Sequence, residues 1–195
     1  QTPLVSVANI DQTAECSLDL TSYAPTATDC DDGTITGTTS DNLDFTDKGT
    51  YTVNWDYTDS DGNTVTQVQN ITVNDVTAPA LDNASLADAQ ADCMVDLNGQ
   101  EPTATDNCDG AITAYTNDPM VYTAEGAHYV TWIFEDEEGN VNYQGQLVII
   151  NDDTEEPVLS AANIDVTREC SVSLIPPTAE DNCKGTMYGV TNDPV

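Results

Sequence analysis

The chain repeats itself every 77 residues, and that period limits its fold more than any other feature. Cys16, Cys93 and Cys170 are spaced 77 and 77 residues apart; Trp55 and Trp132, Gly62 and Gly139, and Asp75 and Asp152 keep the same interval. Pro25-Thr-Ala-Thr-Asp29 returns as Pro102-Thr-Ala-Thr-Asp106 and then as Pro177-Thr-Ala-Glu-Asp181. Thr77-Ala-Pro79 and Thr154-Glu-Glu-Pro157 mark repeat starts, with Thr2-Pro3 in the equivalent place. The expected domains are therefore residues 1–76, residues 77–153, and the first half of a third module over residues 154–195. The third module stops before the strand that would carry its Trp, so the chain is expected to continue in a longer repetitive polypeptide.

Within each repeat the hydrophobic period is that of strands. Tyr51, Val53, Trp55 and Tyr57 alternate with Thr52, Asn54 and Asp56, which gives one apolar and one polar face. Val130, Trp132 and Phe134 are the matching apolar set in the second repeat. Asp61-Gly62-Asn63 and Glu138-Gly139-Asn140 follow with turn chemistry, because Gly and Asn tolerate positive φ. Second strands then end in Ile71-Thr-Val73 and Leu147-Val-Ile-Ile150, and no helical period interrupts the pattern. The fold class expected is all-β, a tandem array of immunoglobulin-like β-sandwich modules.

A module of 77 residues is near the lower limit for an independent core, so a further staple is expected. The six cysteines fall in local pairs, Cys16 with Cys30, Cys93 with Cys108 and Cys170 with Cys183, and no C-x-x-C spacing suggests a metal. Read as one local disulfide per module, each closes a loop of about 15 residues, worth on the order of 3 kcal/mol. Disulfides imply export to an oxidising compartment, extracellular or at the cell surface. Trp55 and Trp132 follow both cysteines of their repeats, whereas antibody-type domains place Trp between them.

Charge narrows the partners. Asp and Glu number 35 against three basic residues, Lys48, Arg168 and Lys184, for a formal net charge of −32. No cationic stripe can be built to displace counterions from nucleic acid, and an anionic membrane would repel the chain. Direct membrane insertion is likewise not expected, since no apolar run reaches spanning length.

The acids recur in sets. Asp29, Asp31 and Asp32 follow the first Pro-Thr-Ala signature, Asp106 and Asp109 the second, and Asp181 the third. Asp41, Asp118 and Asp193 form another set; Asp59 with Asp61 is matched by Asp136 with Glu138; Asp75, Asp152 and Asp153 stand at the repeat junctions. Calcium takes six to eight hard oxygens, and Asp side chains in turns supply them, so calcium held at loops and junctions is the expected cofactor. The bland alternative is Asx turns and a solvated surface. An EF-hand is excluded, because Asn70 sits where the loop opening at Asp59 would need its bidentate Glu.

Catalysis finds little support. His128 is the only histidine and lies in a strand, with no G-x-S-x-G elbow beside it, so no catalytic residue is expected.

Pro102-Thr-Ala-Thr-Asp-Asn-Cys-Asp-Gly110, with Glu125-Gly-Ala-His-Tyr-Val-Thr-Trp132 and Asp136-Glu-Glu-Gly-Asn140, resembles a hyalin-repeat (HYR) module. The junctions Val73-Asn-Asp-Val-Thr-Ala-Pro79 and Ile150-Asn-Asp-Asp-Thr-Glu-Glu-Pro157 resemble that family's inter-repeat linkers. The resemblance implies immunoglobulin-like sandwiches of extracellular, adhesion-associated proteins. The acidic, Lys-poor tandem form is similar to giant surface adhesins of gliding Bacteroidota. One departure stands out: where many members carry a further Cys in the last strand, this chain has Gln69 and Gln146. The function expected is a calcium-stiffened stalk or filament whose partners are neighbouring modules or copies of itself. The alternative is a polysaccharide-binding accessory module of a secreted enzyme, which would need exposed aromatic platforms.

Overall fold

The computed structural model describes residues 1–6, 10–161, 167, 169, 173 and 175–191. The described residues contain strands and turns and no helix. In the first repeat β1 (Leu4–Val5), β2 (Gln12–Glu15), β3 (Leu18–Asp19) and β4 (Thr26–Asp29) are followed by β5 (Gly33–Thr36), β6 (Asp44–Phe45), β7 (Gly49–Thr58) and β8 (Thr64–Asn74). They form sheets in the orders β1-β4-β5, β2-β8-β7 and β3-β6, and a bridge from Thr38 to Asp56 leads from the first to the second. The second repeat supplies β9 (Ala80–Leu81), β10 (Ala89–Ala91), β11 (Val95–Asp96), β12 (Thr103–Asp106), β13 (Gly110–Thr113), β14 (Val121–Tyr122), β15 (Gly126–Glu135) and β16 (Val141–Ile150). Its sheet orders, β9-β12-β13, β10-β16-β15 and β11-β14, reproduce those of the first, as does the bridge from Tyr115 to Ile133. The third adds β17 (Val158–Leu159), β18 (Thr178–Asp181) and β19 (Gly185–Tyr188) in one sheet. The chain is thus a tandem array of immunoglobulin-like β-sandwich modules.

Two compact units result, and they do not follow the repeat boundaries. The first holds Gln1–Leu81 with Ala104–Ile112 and Glu135–Asn142; the second holds Asp82–Thr103, Thr113–Phe134 and Tyr143–Val195. The turns β12–β13 and β15–β16 of the second repeat therefore belong to the unit built on the first.

The strands form where alternation demands it. Along β7 the side chains of Val53, Trp55 and Tyr57 are buried while their neighbours are exposed, as the period-two pattern requires. In the first unit they pack with Ile10, Leu20, Ala27, Phe45, Ile71 and Val73, and Tyr23 meets Trp55 edge-on at 5.9 Å. In the second unit Val130, Trp132 and Phe134 are buried, with Val95, Leu97, Tyr122, Val148 and Ile150 also enclosed. Gly62 and Gly139, at φ 87° and 85°, make the turns between the long strands.

Gln69 has a structural part in the first core. It is fully buried, and burying an amide without partners costs about 1–3 kcal/mol for each group left unpaired. Both ends are satisfied: its Oε1 accepts from Trp55 Nε1 at 2.8 Å, and its Nε2 donates to the Ile10 carbonyl at 2.6 Å. Gln146 repeats the bridge between Trp132 Nε1 (3.0 Å) and the Ala87 carbonyl (2.9 Å). A glutamine amide thus ties the core Trp to the segment leading into the neighbouring strand. Gln69→Leu leaves both partners unpaired and should destabilise the chain by roughly 2–4 kcal/mol in urea unfolding. Gln146→Leu, at a partly exposed position, should cost less.

Candidate functional site at the junction of successive repeats

The parallel pairing of β2 with β8 decides where the site forms. Glu15 is opposite Asn74, and the Cys16 amide donates to the Asn74 carbonyl at 3.1 Å, so Cys16 lies where β8 leaves the first repeat. Cys30 lies elsewhere. Its turn is held to the opposite end of β8, because Ser60 N donates to Asp32 Oδ2 at 2.7 Å just before that strand begins. Eleven residues of β8 at about 3.3 Å each put the two cysteines on the order of 30 Å apart. A disulfide needs Cα atoms within about 7 Å.

The expected pairing of Cys16 with Cys30 and of Cys93 with Cys108 is therefore incorrect. Cys16 bonds Cys108 across 4.9 Å between Cα atoms, Cys93 bonds Cys183 across 5.0 Å, and Cys30 is an exposed thiol. The expected Cys170–Cys183 bond fails because Cys183 is already taken; Cys170 itself lies outside the described residues. The sequence separations of 92 and 90 exceed one repeat, so each bond joins consecutive repeats instead of closing one.

Around Cys16–Cys108 the first unit gathers the acidic side chains of both repeats. Lys48 Nζ donates to Asp109 Oδ1 at 2.8 Å and to Glu138 Oε2, and stands 3.8 Å from Asp75 Oδ2. Asp75 and Asp106 are 5% and 4% exposed, and the Oδ2 atom of each is buried without a hydrogen-bond partner. Carboxylate oxygens of Asp75, Asp109 and Glu138 lie within 4.8 Å of one another; Asp75, Asp106 and the bonded sulfur of Cys108 make a second such group. Asn107 Nδ2 donates to Glu15 Oε2 at 3.1 Å, and Asn140 Nδ2 to the Asp75 carbonyl at 3.3 Å.

The electrostatics follow from these distances. Burial pushes the Asp75 carboxyl above its usual range, and the nearby Asp106 and Asp136 add to the rise against the Thr77 amide and Lys48. The hydrogen bond from Lys48 holds Asp109 below that range, and the bonds to Asp109 and Glu138 raise Lys48 itself.

Other acids expected to bind metal hold turns. Asp29, Asp106 and Asp181 each accept the amides two and three residues on. Asp59 accepts from the Asn63 amide and side chain at 2.7 and 2.8 Å, and Asp136 does the same for Asn140. Asp41 and Asp118 each receive an amide from the long strand, from Asn54 and Thr131, at 2.7 Å. Asp31, Asp32, Asp61 and Asp152 are exposed, Asp153 takes the Glu155 amide, and Asp193 lies outside the described residues. Among the described residues the structure thus groups Asp75 with Asp106 and with Asp109 and Glu138, and places Asp136 near enough to act on Asp75.

Lys48 is the participant that residue type alone did not reveal, yet the repeats carry a signal for it. Its counterpart in the second repeat is Glu125, and the counterpart of Asp109 in the third is Lys184. The signs are exchanged between one junction and the next. Two of the three basic residues in the chain stand at these positions.

No family model matches the chain. It is 35% identical to hyalin of Strongylocentrotus purpuratus over 104 residues, which are 48% of this chain and 9% of that protein. Among solved structures, the fibronectin(III)-like modules of Clostridium thermocellum CbhA align with 77% of this chain and 94% of theirs, at 16% identity and a TM-score of 0.27. The extracellular cadherin domains 1–4 of protocadherin gamma B7 align with 96% of this chain and 59% of theirs, at 8% identity and a TM-score of 0.29.

The ion pair can be tested by exchange. Lys48→Glu should lower the melting temperature, and Asp109→Lys added to it should restore most of the loss by re-forming the pair in the reverse sense. A double variant no more stable than Lys48→Glu alone would sink the pairing.

Proposed function

We propose that this chain is a non-catalytic structural segment of an extracellular adhesin or filament, working as a stalk or fibre in cell-surface attachment or gliding. The observation that carries this reading is that each disulfide ties one repeat to the next. Closing loops of 92 and 90 residues removes chain entropy worth roughly 4 to 5 kcal/mol each, and does so at the joints, where an array under tension would part. Such bonds persist in oxidising surroundings outside the cell. Similarity to hyalin over 48% of the chain supports the same reading. His128 supports its non-catalytic part: the ring packs against Tyr122 at 5.2 Å and its Nε2 is 2.7 Å from the Ala124 carbonyl.

Calcium at the junction completes the proposal. The Oδ2 atoms of Asp75 and Asp106, buried without a hydrogen bond, are two hard ligands suited to a cation, and carboxylate oxygens of Asp109 and Glu138 lie within 4.8 Å of one on Asp75. Lys48 supplies part of that positive charge from within the chain.

Calcium should raise the melting temperature above its value in chelator, by roughly 5–10 °C at about a hundredfold excess over Kd. Asp75→Asn should abolish that rise. In chelator the same variant should melt at or above the parent at neutral pH. The Asp75 carboxyl has a folded pKa above its unfolded value of 3.8, so its penalty is complete above the folded pKa, shrinks as pH falls through it, and is gone below 3.8. The advantage of the variant should fade over that same window. An equal melting temperature with calcium and with chelator overturns the calcium reading.

A second reading, polysaccharide binding, is favoured by exposed tyrosines in the second unit. Tyr129, Tyr143 and Tyr115 are 69%, 56% and 46% exposed. The Tyr129 ring lies close over Gly145, where a Cβ would come within 3.0 Å of it. If these rings stack on sugars, Tyr129→Ala should reduce retardation in polysaccharide-containing gels; unchanged migration of the parent in such gels removes this reading.

A further inference from the structure

We propose that Lys48 is a tethered occupant of the calcium position beside Asp75, Asp109 and Glu138, which the ion enters only by displacing the ammonium. Lys48 thereby sets the calcium concentration at which the junction fills. This rests on the calcium reading proposed for the junction and adds what regulates that site. Lys48 lies between β6 and β7. Its Nζ donates to Asp109 Oδ1 at 2.8 Å and to Glu138 Oε2, and stands 3.8 Å from Asp75 Oδ2. The same three residues offer carboxylate oxygens within 4.8 Å of one another. Ligands on opposite sides of a calcium ion, at about 2.3–2.6 Å each, are roughly 5 Å apart, so oxygens spaced in this way fit around one ion. The ammonium therefore stands among the carboxylates that the ion would use, and two cations repel too strongly to share that space.

Asp75 is the residue that points to a metal in addition to the lysine. Its side chain is 0% exposed, and its Oδ2 accepts no hydrogen bond even with Lys48 in place. The ammonium reaches two of the three carboxylates by hydrogen bond and brings one charge. Calcium brings two charges and six to eight coordination positions, enough to take an oxygen from all three.

The carboxylates are held without help from Lys48. Asp75 Oδ1 accepts the Thr77 amide at 3.1 Å, and Asp109 Oδ2 accepts that of Glu137 at 2.8 Å. Each of these two residues thus spends one oxygen on the backbone and keeps the other for the cation, Oδ2 in Asp75 and Oδ1 in Asp109. The Glu138 amide is likewise fixed, donating to Asp136 Oδ1 at 3.0 Å. Lys48, in contrast, can leave. Its side chain is 27% exposed, and its flexible four-carbon stem lets the ammonium swing into water while the carboxylates stay where they are. The junction therefore carries a cation in either condition, its own at low calcium and the divalent ion at high calcium.

The test titrates the parent chain and Lys48→Met with calcium chloride by calorimetry, and labels the parent with an amine-acetylating reagent in calcium and in chelator. Lys48→Met keeps most of the stem without the charge and should bind calcium roughly tenfold or more tightly than the parent. In the parent, peptide mapping should show Lys48 acetylated several-fold faster in calcium than in chelator, with the exposed Lys184 unchanged as the internal reference. The labelling arm needs no substitution, so it decides the matter even where the variant fails to fold. Equal affinity of parent and variant, or unchanged Lys48 labelling in a parent that binds calcium, overturns the inference and leaves the calcium reading standing. Binding by Lys48→Met alone removes calcium from the native junction and supports Lys48 as its occupant. Binding by neither chain overturns both.

Discussion

Packing carboxylates of two repeats against each other is the physical problem on which this structure turns. At 4 Å two like charges repel by about 1 kcal/mol in water and several times that near a protein surface. The Cys16–Cys108 bond holds Asp75 close to Asp106, Asp109 and Glu138 in spite of this repulsion. A covalent tie can do so because its strength does not depend on charge, pH or salt. The ammonium of Lys48 then offsets part of the field, but burial, with Asp106 and Asp136 adding to it, still keeps the Asp75 carboxyl raised.

Away from the junction the chain manages its charge differently. Asp29, Asp41, Asp59, Asp118, Asp136 and Asp181 each accept backbone amides in turns or from a neighbouring strand. At Asp59 such bonds, first the one from the Asn63 side chain, hold the carboxyl below its usual range. Much of the acidity is therefore a means of shaping short loops between strands, and recurrence of an Asp with the repeat is not by itself evidence for a metal. What separates the junction from these turns is the gathering of carboxylates from two repeats, with Asp75 close to Asp106 and also to Asp109 and Glu138.

Fold and site were legible in the sequence to different degrees. The alternation of Val53, Trp55 and Tyr57 sufficed to place β7 and its buried face, since side-chain direction along a strand follows from local geometry. The Asp-Gly-Asn turn at residues 61–63 was equally local. Gln69 was visible as a departure, but its partners, Trp55 and the Ile10 carbonyl, lie 14 and 59 residues away and only the sheet brings them together. The cysteines closest in sequence are not the ones closest in space, because β2 carries Cys16 away from Cys30. The exchange of Lys48 and Asp109 for Glu125 and Lys184 was present in the aligned repeats, but had no meaning until the first pair was seen in contact.

By itself the sequence determined the period, the all-β character, the inward residues of the long strands and the residue types available at the junction. Those properties depend on neighbours within a few positions or on simple repetition. Tertiary structure decided which cysteines bond, which four of many carboxylates converge, and that a lysine stands among them. The first depends on the parallel course of β2 beside β8, which carries Cys16 to the far end of its module and so to the next repeat, and the last on antiparallel β7, which sets Gly49 opposite Val73 and so brings Lys48 to the same end. A strand's direction in a sheet is set by long-range hydrogen bonding, and no local pattern of residues encodes it.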